Sequence, residues 1–245
     1  MTTLLKLQVL HDTCYDYASP VAIAQHLAWL HPLQTAWQQV DDFCLEIEPL
    51  PSLLRAEPDH FGNLRHAFAL YQSHTHLQVR ASSQVTLLPR PAPYLEASGS
   101  WLALRQALAY RAGAACNPAV EFVFASPRIP LLPELRDYAR ECFTDECSVL
   151  QGASQLMQRI HADFSYHPSA TEVSTPIQQA FRQRAGVCQD FAQIMIGGLR
   201  ALGLPARYVS GYLLTQPPPG AERMVGADAS HAWVSVFCPS FGWID

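Results

Sequence analysis

Lysine is scarce in this 245-residue chain, and 16 basic residues against 21 acidic ones leave a formal charge of −5. That balance supplies no basic patch, so a nucleic-acid partner is not expected. No uninterrupted apolar stretch approaches the roughly 20 residues a membrane-spanning helix needs, so no membrane span is expected either. The opening Met1-Thr2-Thr3-Leu4-Leu5-Lys6 lacks the charged start and long apolar run of an export signal. The seven cysteines, at 14, 44, 116, 142, 147, 188 and 238, are odd in number and scattered. Without an export signal they are expected as reduced thiols in a cytoplasmic protein. Cys142 and Cys147 have no second Cys/His pair at zinc-ligand spacing, His74 and His76 have no third ligand, and nothing reads as a calcium loop. No metal and no organic cofactor is therefore expected. Internal repeats and low-complexity tracts are absent too.

What is present is an ordinary globular composition, 49% hydrophobic and 15% charged. From Leu5 to about Leu88 apolar and polar residues alternate in short runs, as in Leu5, Leu7, Val9 and in Cys44-Leu45-Glu46-Ile47-Glu48. Turn residues such as Asp59-His60-Phe61-Gly62-Asn63 separate them, with His60 and His66 expected at the surface. The pattern predicts a β-sandwich over 1–90. Pro89-Arg90-Pro91-Ala92-Pro93 is a stiff linker. Beyond it the period becomes helical, with helices expected over 101–114, 133–142 and 148–164. Strands follow at 206–214 and from 231 onward. Helices succeeded by strands over 91–245 make the chain α+β.

The stretch Arg184-Ala185-Gly186-Val187-Cys188-Gln189-Asp190-Phe191-Ala192 reads as a tight turn delivering a cysteine to a helix start, with Gly186 supplying permissive backbone angles. Phe191, Ala192, Met195, Ile196 and Leu199 recur at helical spacing behind it, and Gly203 with Pro205 marks the stop. Unpaired N–H groups and the helix dipole at such a start favour a thiolate, the reactive form of cysteine. Asp190, two residues on, suits acceptance of first-turn N–H bonds. Downstream, His231, Trp233, Ser235 and Phe237 share one face of a predicted strand, and Ala232, Val234 and Val236 the other. A cysteine at a helix start and a histidine at a strand start suit a nucleophile–base pair, Cys188 with His231. Cys238 reads as a packing or surface thiol. The loop at 215–230, with Pro217-Pro218-Pro219, leads into His231 and is expected as a flap.

Gly186-Val187-Cys188-Gln189-Asp190-Phe191-Ala192, Leu202-Gly203-Leu204-Pro205-Ala206-Arg207-Tyr208-Val209-Ser210-Gly211-Tyr212 and Ala229-Ser230-His231-Ala232-Trp233-Val234 together resemble the bacterial transglutaminase-like family. His11-Asp12-Thr13-Cys14-Tyr15-Asp16-Tyr17-Ala18-Ser19-Pro20-Val21 resembles the β-rich region that precedes that family's core. The resemblance implies a papain-like transglutaminase core over 91–245 with a Cys–His–Asp triad, Cys188 as nucleophile and His231 as base. It places the triad aspartate four residues past Trp243, two beyond Asp245. The expectation is thus a core incomplete at its C-terminus, weak or inactive as it stands. Gln193 and Ser235 occupy positions where relatives commonly carry histidine and glutamate, so no role is transferred to them.

The expected chemistry is acyl transfer from an amide of a peptide or protein substrate. Water as acceptor makes a peptidase or amidase, and an amine makes a cross-linking transglutaminase. The residues at the nucleophile do not separate these, because both share every step to the thioester. The backbone N–H of Cys188 is an expected oxyanion donor and Gln183 a candidate side-chain donor. The competing expectation is a non-catalytic peptide- or protein-binding module of the same fold.

Overall fold

The computed structural model describes residues 4–113, 115–214 and 230–245. All of the expected 215–230 flap except Ser230 lies outside the described residues. The chain divides into two compact units, Met1–Pro91 and Ala92–Asp245.

The first unit is built from six strands: β1 Leu5–Val21, β2 Ala24–Ala28, β3 Gln38–Glu48, β4 Leu53–Pro58, β5 Leu64–Leu70 and β6 His74–Leu87. They form two antiparallel sheets, ordered β1–β6–β3 and β2–β5–β4. The β4–β5 turn is held by the Asp59 carboxylate, which accepts the N–H groups of Phe61 and Asn63 at 2.9 Å each, with Gly62 at φ 82°. Alternate residues of both sheets meet in one core, where Phe68 and Leu70 of β5 pack with Leu77 and Val79 of β6. Leu70 and Leu77 are fully buried, each contributing about 2 kcal/mol by removal from water.

This sandwich also encloses histidines. His66, expected at the surface, is buried, because it occupies an inward position of β5 and stacks on Phe43. His26 stacks on Phe68, and His74 meets Tyr17 edge-on. His76 instead is exposed and pairs with Asp16, so His74 and His76 do not share a site. His26 Nε2, His66 Nδ1 and His74 Nε2 are buried without hydrogen-bond partners among the described residues. Burial holds His26 and His66 below the ordinary value of 6.5, helped by the charge of His74 on the first and of His31 on the second. The unfolded chain therefore binds protons at these sites before the folded chain does, and stability rises with pH across the histidine range. Melting temperature is expected to fall as pH drops from 7.5 to 5, and His66→Phe to flatten that slope. A melting temperature indifferent to pH in this window would contradict the assignment. Asp12 and Asp59 are shifted down, by the hydrogen bonds of Arg80 and Asn63 respectively, so their contribution is lost only below the ordinary carboxylate value of 3.8.

The second unit holds α1 Trp101–Ala107, α2 Pro133–Arg140, α3 Val149–Asp163, α4 Ile177–Gln183 and α5 Cys188–Ala201. Its strands are β7 Ser165–Tyr166, β8 Ala185–Gly186, β9 Ala206–Gly211, β10 His231–Cys238 and β11 Gly242–Ile244. α1 stops seven residues short of the expected end at 114. Trp101 and Leu104 reach the core, but Tyr110 is 93% exposed, and an Ala-rich stretch with nothing to pack against does not stay helical. α3 begins with a complete capping box, in which Ser148 Oγ accepts from Gln151 N and Gln151 Oε1 accepts from Ser148 N.

α5 is the central helix, and its burial runs well beyond the expected stripe. Ile194, Gly197 and Gly198 are buried as well as Ala192, Ile196 and Leu199. A Cβ on Gly198 would stand 2.8 Å from the Ala139 Cβ, so the bare glycine face is what admits α2. The sheet β9–β10–β11 is antiparallel, with Ala206, Val236 and Cys238 buried in the core that α5 shares. Arg200, itself buried, ties the end of α5 to the start of β9 through Nε to the Ala206 carbonyl at 2.9 Å.

Candidate functional site

Cys188 is the first residue of α5 and is partly exposed, whereas Cys142, Cys147 and Cys238 are buried and held as thiols by that burial. The helix start is organised by Asp190. Its Oδ2 accepts the Val187 N–H at 2.8 Å and the Thr171 hydroxyl at 2.6 Å, while the residue is 2% exposed. A carboxylate there satisfies an otherwise unpaired donor and complements the positive end of the helix. Gly186 is not in the left-handed region; the expectation of permissive angles is corrected by a steric reason. A Cβ on Gly186 would lie 2.5 Å from Asp190 Oδ2, so the glycine makes room for the carboxylate. The left-handed residue of this turn is Arg184, at φ 54° and ψ 30°.

Two segments brace the turn. β7 pairs in parallel with β8, with Ser165 N donating to the Arg184 carbonyl and His167 N to the Gly186 carbonyl, each at 2.9 Å. The 167–175 segment contributes Thr171, and Gln189 Nε2 reaches the Val173 carbonyl at 3.5 Å. Gln183 sits exposed on the last turn of α4, with no hydrogen bond to the site among the described residues.

His231 is the first residue of β10 and pairs with Gly211, the last of β9. α5 has 14 residues and spans about 21 Å, and the 6 residues of β9 run back about 20 Å. The two lengths match, and β9 and β10 both pack against α5. Burial raises the phenol of Tyr208 on β9 first, and the charges of Cys188 and Asp190 raise it further. Val236 and Cys238 are buried in the core that α5 shares, and Val234 and Phe237 pack against it. His231 Nε2 and Ser235 Oγ are buried with no hydrogen-bond partner among the described residues. Gly211 is required, since a Cβ on it would stand 2.6 Å from Trp233, whose indole lies across the strand beside His231. Among the described residues no group of three His, Cys, Asp or Glu side chains converges to hold a metal, and no helix is long and apolar enough to cross a membrane.

The helix-start position of Cys188, the strand-start position of His231 and the capping role of Asp190 match the expectations from sequence. Sequence reasoning missed Thr171, whose loop carries no periodic signal, and Arg184 and Tyr208, which in sequence look like ordinary turn and strand residues.

The bacterial transglutaminase-like N-terminal region matches residues 7–86, and the transglutaminase-like superfamily core matches residues 136–245. An uncharacterized protein of Mycobacterium bovis is 36% identical over 243 residues, spanning 98% of this chain and 77% of that protein. A protein-glutamine gamma-glutamyltransferase of Pseudomonas aeruginosa is 38% identical over 93 residues, 36% of this chain and 14% of its own length. A solved protein of Cytophaga hutchinsonii, provisionally designated a cysteine protease, shares the fold with a TM-score of 0.75 at 20% identity, covering 99% of this chain and 76% of that one. Cys188, His231 and Gly211 all fall within the matched core, and on these grounds the chain belongs to the bacterial transglutaminase-like family.

Proposed function

We propose that this protein transfers the acyl group of an amide on a peptide or protein substrate through a thioester on Cys188, with His231 as the base. The observation that supports this reading is Cys188 at the partly exposed, Asp190-capped start of α5, with His231 at the start of β10, a strand that packs against α5. The Cys188 sulfur attacks the amide carbonyl carbon while its proton passes to His231. The C–N bond then breaks as His231 returns that proton to the departing ammonia or amine. The Cys188 N–H, at the helix start, serves as a donor to the oxygen that becomes negative in between. Water or an amine then resolves the thioester. The named activity of the Pseudomonas relative supports glutamine side chains as the acyl donor. No cofactor takes part in any of these steps.

Iodoacetamide at near-neutral pH tests the nucleophile. Cys14, Cys44 and Cys116 are more exposed than Cys188, so accessibility alone would label them first. Cys188 is expected to react at least tenfold faster than any of the three, as an activated thiol does. Equal or slower labelling would favour the binding-module reading. A glutamine peptide incubated with and without a labelled primary amine then separates cross-linking, which incorporates label, from hydrolysis, which releases ammonia alone.

A further inference from the structure

We infer that Arg184 is a positioning residue for Cys188: its guanidinium, enclosed by three aromatic rings, locks the turn that delivers the cysteine to the start of α5. The inference rests on Cys188 being the nucleophile and adds a residue that the transfer chemistry itself does not use. The guanidinium carbon lies 4.3 Å from the Phe181 ring centre, 4.7 Å from that of Phe164 and 4.9 Å from that of Tyr138. Those rings belong to three different pieces of the unit: Tyr138 to α2, Phe181 to α4, and Phe164 to the cap of α3. One cation thus gathers three elements at the base of the cysteine turn.

The grip continues into α5. Phe164 meets the ring of Phe191 at 5.8 Å, three residues beyond Cys188. Tyr138 is held in its turn, its hydroxyl donating to Asp163 at 2.9 Å and the guanidinium of Arg159 lying 4.1 Å from its ring centre. The backbone of Arg184 is equally committed. Its N–H donates to the Ala180 carbonyl, and its own carbonyl accepts from Ser165. Among the described residues it is the one non-glycine with positive φ. A glycine or asparagine is the usual solution at such a helix end, since neither meets the steric penalty of a long side chain. Arginine there, with Nη1 buried and lacking a hydrogen-bond partner among the described residues, has a side chain whose place is not explained by the turn. Contact between its charge and the ring faces explains it. Position 184 is thus where a backbone requirement for glycine has been overridden by a side-chain requirement for a cation.

Three variants separate the possibilities. Arg184→Gly relieves the backbone and removes the clamp, Arg184→Met keeps the length without the charge, and Arg184→Lys keeps the charge without the plane. The readouts are the iodoacetamide rate at Cys188 from pH 6 to 9 and amide exchange at Phe191, whose N–H opens the helical hydrogen bonding of α5. Gly and Met are expected to slow Cys188 about tenfold and to hasten exchange at Phe191, with Lys losing less than either. A Met variant equal to the parent would overturn the role of charge, and a Gly variant equal to the parent would overturn the clamp altogether. Should those variants not fold, Phe181→Leu removes one ring while leaving Arg184 in place, and unchanged readouts there would sink the proposal equally. A parent Cys188 no faster than Cys14, Cys44 and Cys116 would instead remove the nucleophile reading, and exchange at Phe191 would still decide whether Arg184 fixes the helix start.

Discussion

Cys188→Ala is expected to abolish thioester formation and to lower amide turnover by on the order of 10⁴-fold or more, while leaving the melting temperature close to that of the parent. The side chain is partly exposed and lies outside the buried core cluster, so its loss opens no large cavity. His231→Gln should cost a comparable factor on amides, and the double variant should be no worse than the poorer single one, because a nucleophile and its base act as one unit. The choice of leaving group isolates what the imidazole does. An amine departs only when protonated, whereas a nitrophenolate departs unaided. On a nitrophenyl ester of the same acyl group His231→Gln should therefore lose far less than on the amide, and Cys188→Ala should lose both alike. If His231→Gln depressed ester and amide equally, His231 would be supporting the cysteine and not handing a proton to the leaving group. If neither substitution altered turnover while both weakened capture of a glutamine peptide, the start of α5 would be part of a binding surface.

Local chemistry that repeats a known physical pattern was legible in the residues alone. A glycine–cysteine turn, a helical apolar period behind it and a Gly203-Leu204-Pro205 stop define α5 to within two residues of its observed bounds. Alternation from His231 to Phe237 likewise marked β10 as a strand, though its burial does not alternate, since Ser235 and Val236 are both buried. What remained hidden depends on three-dimensional neighbours. The burial of α5 follows from its place between helices and sheet, which adds Ile194, Gly197 and Gly198 to the stripe that periodicity marks and leaves Phe191 and Met195 of that stripe only partly buried. His66 could not be told from a surface residue because a single histidine near a turn has the same signal in either place, and only Phe43 across the sandwich decides it. The left-handed angle of Arg184 had no sequence signature, since arginine is not a residue of that region. Thr171 lies 19 residues before the carboxylate it serves, a distance no local pattern spans. Gly186 was legible as important and misjudged in its reason: the residue type signals either unusual angles or a need for space, and only the position of Asp190 distinguishes them.

Gly186→Ala puts that distinction to the test, and a single methyl group is expected to destabilise the second unit by about 3 kcal/mol. The new Cβ would stand 2.5 Å from Asp190 Oδ2 and 2.9 Å from its Cβ and Cγ. The carboxylate cannot swing into water, because Asp190 is 2% exposed. Displacing it deprives both the Val187 N–H and the Thr171 hydroxyl of their acceptor. Overpacking of this kind costs about 1–3 kcal/mol, and each orphaned buried donor adds about 1–3 kcal/mol when relaxation does not rescue it. For a chain of 245 residues a loss of about 3 kcal/mol corresponds to a melting temperature lower by roughly 10 °C. Gly62→Ala is the contrasting case. That glycine has φ 82° with nothing within 4 Å of the position its Cβ would take, so its substitution carries conformational strain of about 1 kcal/mol and no clash. Asparagine separates the two mechanisms: it tolerates left-handed angles, so it should partly rescue position 62 and be at least as damaging as alanine at position 186. The clash also predicts coupling. In an Asp190→Gly background all three contacting atoms are gone, and Gly186→Ala should then cost well under 1 kcal/mol, a non-additivity of the size expected for residues in direct contact. Cost that persisted in that background would place the strain in the backbone of the cysteine turn, and the carboxylate would no longer be what the glycine accommodates.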